Sequence, residues 1–166
     1  MLSLYDISVP VFIRALRNLD AILDKGAAYF AEQGRPESEL TEARLIADMK
    51  PLTAQIQRAS DSAKGVAVRV GGVENVAMPD DEVTIADLKA RLAKTIAFLE
   101  AVPREGFDGK EEAVVELVTP NRTMTFTGRD FVLDFAIPNV FFHVTTAYAL
   151  LRQAGVPIGK RDYLGG

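Results

Sequence analysis

The sequence has no cysteine, no tryptophan and a single histidine, His143, in 166 residues. Without cysteine there is no disulfide scaffold, thiolate zinc site, iron–sulfur cluster or cysteine nucleophile. One histidine excludes sites that draw two from the same chain, such as a His-Glu-x-x-His helix or a three-histidine zinc triad. A strong charge of either sign is also missing. The 19 Lys+Arg and 23 Asp+Glu leave a formal net charge of −4, spread along the chain, and nucleic acid is not an expected partner. Long apolar runs are absent as well. The most apolar segment, 131–151, is broken by Asp134, Pro138, Asn139 and His143, and nothing approaches the roughly 18 residues of a membrane span. Met1-Leu2-Ser3-Leu4-Tyr5-Asp6 lacks the basic, apolar and small-residue regions of a signal peptide, so the expected location is cytoplasmic, with no membrane partner.

What is present reads as one helical domain over 1–166. A chain near 150 residues buries roughly 68–70% of its unfolded surface, enough to fold without a metal or a disulfide. From Ile7 to Phe30 the residues Phe12, Leu16, Leu19, Leu23 and Phe30 recur at helical steps, with Ser8 as a cap and Pro10 in the first turn. Gly34-Arg35-Pro36 ends that helix, and 37–44 fits a short helical turn. A second long helix is expected from Lys50-Pro51 to Val70, with Leu52, Gln55, Ile56, Ala59, Ala63 and Val66 facing inward and Gly71-Gly72 as its stop. Residues 73–82 read as loop.

Thr84 and Asp87 have the spacing of a capping box for a third helix. Its apolar stripe is Ile85, Leu88, Leu92, Ile96 and Leu99, which leaves Lys89, Arg91, Lys94 and Glu100 expected in solvent. The period then changes. β-branched residues in 114–118 and 123–127, around Thr119-Pro120-Asn121-Arg122, predict strand, turn and strand, and so small a hairpin needs helices or a partner to pack on. Gly128 to Ala154 predicts a last helix interrupted at Pro138 and stopped by Gly155. Tyr148, Arg152 and Asp162 are expected to tie the tail to the helices through an ion pair.

One stretch breaks its own periodic rule. Asn139 and His143 are four residues apart on one helical face, flanked by Phe135 and Phe142. Across from them the second helix offers Gln55, with Asp48 about two turns earlier. Each has a plain structural reading: a doubly bonded core histidine, an Asn or Asp helix cap, and an interhelical amide for Gln55.

Two blocks resemble a known family. The first is Arg44-Leu45-x-x-Asp48-Met49-x-Pro51-Leu52-x-x-Gln55. The second is Pro138-Asn139-x-x-Phe142-His143 with Ala147-Tyr148, Leu151-Arg152 and Gly155-Val156-Pro157-x-Gly159-Lys160-Arg161-Asp162. Together they resemble an uncharacterised bacterial and fungal family within the DinB-like (damage-inducible, YfiT-like) superfamily, over nearly the whole chain. The resemblance implies an all-α four-helix bundle with a short β-hairpin between the third and fourth long helices, and a homodimer. Many members of that superfamily hold a divalent metal on three histidines, and some are thiol-dependent transferases or isomerases. By position, His143 matches one metal ligand, while Asn139 and Gln55 stand where the other two would be. Amides are poor ligands for zinc or nickel, so no metal and no cofactor is expected. Two readings follow. In one, a small molecule sits in the bundle cleft against Phe142, Phe135 and Ile56, held by His143, Asn139 and Gln55, with Asp48 and Asp134 tuning the imidazole. In the other, the chain is a non-catalytic homodimeric module with a buried polar network.

Overall fold

Proline marks where helices begin in this chain. The structure, a computed structural model, describes residues 2–119 and 121–166. Pro10 lies in the first turn of α1 (Val9–Glu32), Pro51 caps α3 (Leu52–Arg69) and Pro138 opens α6 (Ile137–Gln153). At Pro10 and Pro51 the missing amide hydrogen removes no helical bond. The other elements are α2 (Glu37–Thr41), α4 (Ile85–Glu100), β1 (Val114–Val118), β2 (Thr123–Thr127), α5 (Gly128–Asp130) and α7 (Lys160–Leu164).

Of the four long helices, α1 and α3 each contact α4, α6 and one another. Their apolar stripes meet in one core that includes Phe12, Leu16, Leu19, Leu23, Leu52, Ile56, Leu88, Leu92, Val140 and Leu150. Each fully buried Leu or Phe of this kind stabilises the fold by about 1.5–3 kcal/mol. α4 begins with the expected capping box: Asp87 N–H donates to Thr84 Oγ1 at 3.1 Å, and Thr84 N–H donates to Asp87 Oδ2 at 2.9 Å. Gly155, at φ +92°, ends α6, and the Val156 N–H closes the last turn on Leu151 O at 3.0 Å.

β1 and β2 pair antiparallel, with Val115 opposite Phe126. Val115 is buried, and Phe126 packs on Phe131 and Phe135 at centroid distances of 5.7 Å to each, so the hairpin rests on the segment that follows it. Pro120 of the expected turn lies outside the described residues.

Several local expectations are corrected. Ser8 does not cap α1, because its hydroxyl donates backward to Leu4 O at 2.5 Å. The helix before Pro138 is widened rather than broken. Residues Phe131–Ala136 form a π-helical turn that runs directly into α6. Pro138 cannot donate to the preceding turn, and its ring crowds the carbonyl four residues back; a wider turn relieves that crowding. The tail is tied down, but not by Arg152. Asp162 pairs with Lys25 of α1, Tyr163 stacks edge-on against Tyr148 at 5.7 Å, and Arg152 donates to Val156 O at 3.0 Å. No helix is long and apolar enough to cross a membrane among the described residues.

Candidate functional site

α3 and α6 share the most extensive helix contact among the described residues, and the pairings of 143 with 55 and of 139 with 62 make them antiparallel. Polar side chains cross this seam on two rungs. On the first, His143 Nδ1 lies 2.8 Å from Gln55 Oε1. On the second, Asn139 Nδ2 donates to Ser62 Oγ at 2.7 Å. The four-residue spacing on α6 is answered by a seven-residue spacing on α3, which places Gln55 and Ser62 on one helix face.

The first rung is directional. Gln55 Nε2 donates to the backbone carbonyl of Lys50 at 3.0 Å. A carbonyl can only accept, so it dictates which end of the amide faces it, and Oε1 is left facing the imidazole. An amide oxygen also only accepts, so the proton between them belongs to His143 Nδ1. In the neutral ring Nε2 is then the lone-pair nitrogen. It has no hydrogen-bond partner among the described residues and is not sealed from solvent.

The imidazole stays neutral at ordinary pH. Burial, and then the nearby Arg58 guanidinium, push its pKa down to about 4. Arg58 is exposed on α3, three residues after Gln55 and four before Ser62, so it lies between the rungs on the same face. It has no carboxylate within ion-pair distance among the described residues. Arg58, Ser62 and the Lys50 carbonyl were not singled out by sequence. The spacing 55, 58, 62 carries the signal for the first two, whereas the carbonyl has none.

The other expected contributors fall elsewhere. α3 starts at Leu52 rather than Lys50, so Asp48 sits in the turn before it, exposed, and neither caps α3 nor joins the rungs. The charge acting on His143 is the cation Arg58, in place of the anions Asp48 and Asp134. Phe142 is 55% exposed, Ile56 is sealed in the core, and Phe135 stacks on Phe131 at 5.5 Å, so these three do not line one cavity. The open side of His143 is the solvent mouth of the seam, with Phe142 edge-on to the ring at 5.2 Å.

A separate cleft lies beside α4. It measures about 840 Å³ and is bounded by loop residues Val76 to Pro79 and one face of α4. Arg91, expected in solvent, is instead buried at 2% exposure beneath this loop. Its guanidinium meets Asp61 at 2.9 Å, Asp80 at 3.0 Å and Glu82 at 2.9 Å, and Nη1 donates to Pro79 O at 3.1 Å. Position 91 lies next to the apolar stripe, and these carboxylates approach from α3 and the loop.

A family model described as "Domain of unknown function (DUF1993)" matches residues 4–164. A solved structure, that of a DinB family member protein from Shewanella denitrificans, is 37% identical, with a TM-score of 0.90 over 98% of this chain and 92% of that one. The chain is a DinB-like member of the DUF1993 family. No curated protein matches significantly. The superfamily resemblance implies a metal on three histidines, and the residues at those positions do not fit one. They offer one imidazole and two amides, with Gln55 Oε1 engaged by His143 and Asn139 Nδ2 by Ser62. No group of three or more His, Cys, Asp or Glu is arranged to hold a metal ion among the described residues.

Proposed function

We propose that this DinB-like chain is a four-helix-bundle protein whose three-histidine metal site has been replaced by polar rungs, and that it binds a small molecule at the mouth of the α3–α6 seam. The observation that carries the reading is the chain of bonds from Lys50 O through Gln55 to His143, which presents the Nε2 lone pair outward beside unpaired Arg58. A histidine sealed in the core would need partners at both nitrogens, whereas here Nε2 opens to solvent, where a ligand can take the place of water. The ligand supplies a hydrogen-bond donor to Nε2 and an anionic or carbonyl oxygen to Arg58. Binding is favoured over acid–base catalysis, because an imidazole with a pKa of about 4 is a weak proton acceptor at neutral pH.

The test is native mass spectrometry of untagged protein, with elemental analysis of the same sample. The expected result is a retained small molecule, no stoichiometric metal, and loss of the retained mass in His143→Leu. A stoichiometric transition metal overturns the metal-free part. A bare wild-type chain overturns the binding part.

One observation favours the homodimeric module as a second reading. Val114 and Val118 are 74% and 70% exposed on a two-stranded sheet whose outer edges are unpaired. Under that reading the hairpin is the contact between two copies. Val118→Lys would then shift the sedimentation coefficient to that of a monomer, while an unchanged coefficient would remove the hairpin from the interface.

A further inference from the structure

Arg58 brings a positive charge to the mouth of the α3–α6 seam, and the residues around it do not balance that charge. From Phe135 to Leu151 the facing segment has no Asp, Glu, Lys or Arg, and His143 is kept neutral. The one carboxylate of α3, Asp61, is held by Arg91 of α4 at 2.9 Å and lies 3.7 Å from Lys64. Asp134, on the π-helical turn before α6, is exposed, and neither it nor Asp61 is within ion-pair distance of Arg58. The cation therefore stands over a neutral wall.

Three groups face a molecule at this mouth: the Nε2 lone pair of His143, the Arg58 guanidinium and the exposed ring of Phe142. Each narrows the chemistry. A lone-pair nitrogen only accepts, so the molecule brings a proton donor to it. An ammonium is a poor donor here, because it would meet the field of Arg58 with no anion beside it. The smallest neutral donor is a hydroxyl. A guanidinium is matched by a carboxylate, which takes two parallel N–H bonds from it. One cation also suits one negative charge. A phosphate monoester carries about −1.5 to −2 at pH 7 and then has little left to donate to Nε2. The Phe142 ring, finally, offers an apolar surface that a purely polar molecule would leave in water.

We propose that the seam mouth takes a hydroxycarboxylate with an apolar body. Its hydroxyl donates to His143 Nε2, its carboxylate pairs with Arg58, and its apolar part covers Phe142. Arg58 selects the charge of the ligand and His143 selects the hydroxyl. This inference rests on the binding function proposed for the seam and names the class of molecule bound there.

The test uses mandelate and 3-hydroxy-3-phenylpropanoate, each as both enantiomers, which carry all three features with two spacings between hydroxyl and carboxylate. Phenylacetate and 3-phenylpropanoate are the same acids without the hydroxyl. Mandelamide and 3-hydroxy-3-phenylpropanamide lack the charge, and phenylglycine replaces the hydroxyl of mandelate by an ammonium. Binding to the untagged full-length protein is followed by calorimetry and by nitrogen NMR on His143. The expected result is that a hydroxy acid shifts the Nε2 resonance and binds about tenfold more tightly than its partner without the hydroxyl, the factor one net hydrogen bond supplies. Its amide, and phenylglycine, should bind more weakly still. Arg58→Gln, at an exposed helical position, should remove the preference for the acid over the amide. His143→Leu should remove the preference for the hydroxyl. Equal affinity with and without the hydroxyl, equal or tighter binding of the amide, or a preference for the acid that survives Arg58→Gln overturns the proposal. If neither hydroxy acid binds while the protein retains another small molecule that is lost in His143→Leu, the ligand class is overturned and the seam remains a binding site. If neither binds and the chain is bare, both readings fall.

Discussion

The contact between His143 Nδ1 and Gln55 Oε1, at 2.8 Å, sets the tautomer of the only histidine in the chain. Nitrogen NMR on the imidazole should therefore show the proton on Nδ1 and a lone pair on Nε2 at pH 7. Gln55→Leu should release the ring to exchange between tautomers and cost about 1 kcal/mol for the lost bond. A wild-type ring carrying its proton on Nε2 would contradict the assigned bonding and remove the acceptor the proposed ligand needs.

The same histidine gives stability a pH dependence of known sign. In the unfolded chain it titrates near 6.5, whereas in the native state its pKa is about 4. Below pH 6.5 the unfolded chain takes up a proton that the native state refuses. Stability from this group is complete above pH 6.5, declines as pH falls toward 4 and is flat below. Undiscounted, the difference is about 3 kcal/mol; solvent access to the half-buried ring brings the expectation to about 1–2 kcal/mol. Urea unfolding at pH 7, 6 and 5 should show this slope in the wild type and a flatter one in His143→Leu. Equal slopes would mean that the ring is not held neutral by the fold.

The second rung is closed on itself. Asn139 donates to Ser62 and is expected to hold the seam without touching a ligand. Asn139→Ala and Ser62→Ala should each cost about 1 kcal/mol, and the double variant less than their sum, with a coupling of about 0.5–1.5 kcal/mol. Thermal unfolding of the four proteins supplies the cycle. Strict additivity would mean that the bond contributes nothing to stability.

If the amides replace metal ligands, the replacement should be reversible. Gln55→His together with Asn139→His would bring three imidazoles to the seam, at the position of the present His143–Gln55 contact and one α6 turn away. Calorimetry should then detect stoichiometric zinc binding in the double variant and none in the wild type. Failure of the double variant to bind zinc would mean that the backbone no longer has the spacing of such a site.

Much of this was legible in the sequence where the signal was local. The Thr84–Asp87 capping box, the two hairpin strands and the Gly155 stop depend on neighbours within a few residues. The pairing of His143 with Gln55 was legible because both positions fall on inward helical stripes. Asp48 misled for a related reason: counting two helical turns back from Gln55 puts it on the same face, but α3 starts only at Leu52 and the irregular segment up to Pro51 leaves it in solvent. The π-helical turn before Pro138 had no periodic signature, since the widening depends on where a carbonyl crowded by a proline ring can move. Arg91 was hidden most thoroughly. A charge beside an apolar stripe reads as solvent-facing unless its partners are known, and Asp61, Asp80 and Glu82 come from another helix and from a loop without regular spacing.

Arg91 also yields the largest expected change in stability. Glu82 keeps its carboxylate buried, its side chain only 8% exposed, against Arg91 and Gln57. Burial raises its pKa, but the bonds from Gln57 and Arg91 outweigh that and hold it below the usual carboxylate value. Arg91→Leu removes the cation and leaves that charge uncompensated, which costs about 3–5 kcal/mol in comparable buried pairs. Arg91→Leu with Glu82→Gln should recover part of this loss, because the second change removes the stranded charge. If the loss is electrostatic, the single variant should also gain stability relative to the wild type as the pH falls and Glu82 is protonated. Chemical denaturation at pH 7 and pH 5 would decide it. A small loss for Arg91→Leu at pH 7, or no recovery in the double variant, would mean that the loop is held by Lys64 and its other ties and that the cleft does not depend on this cluster.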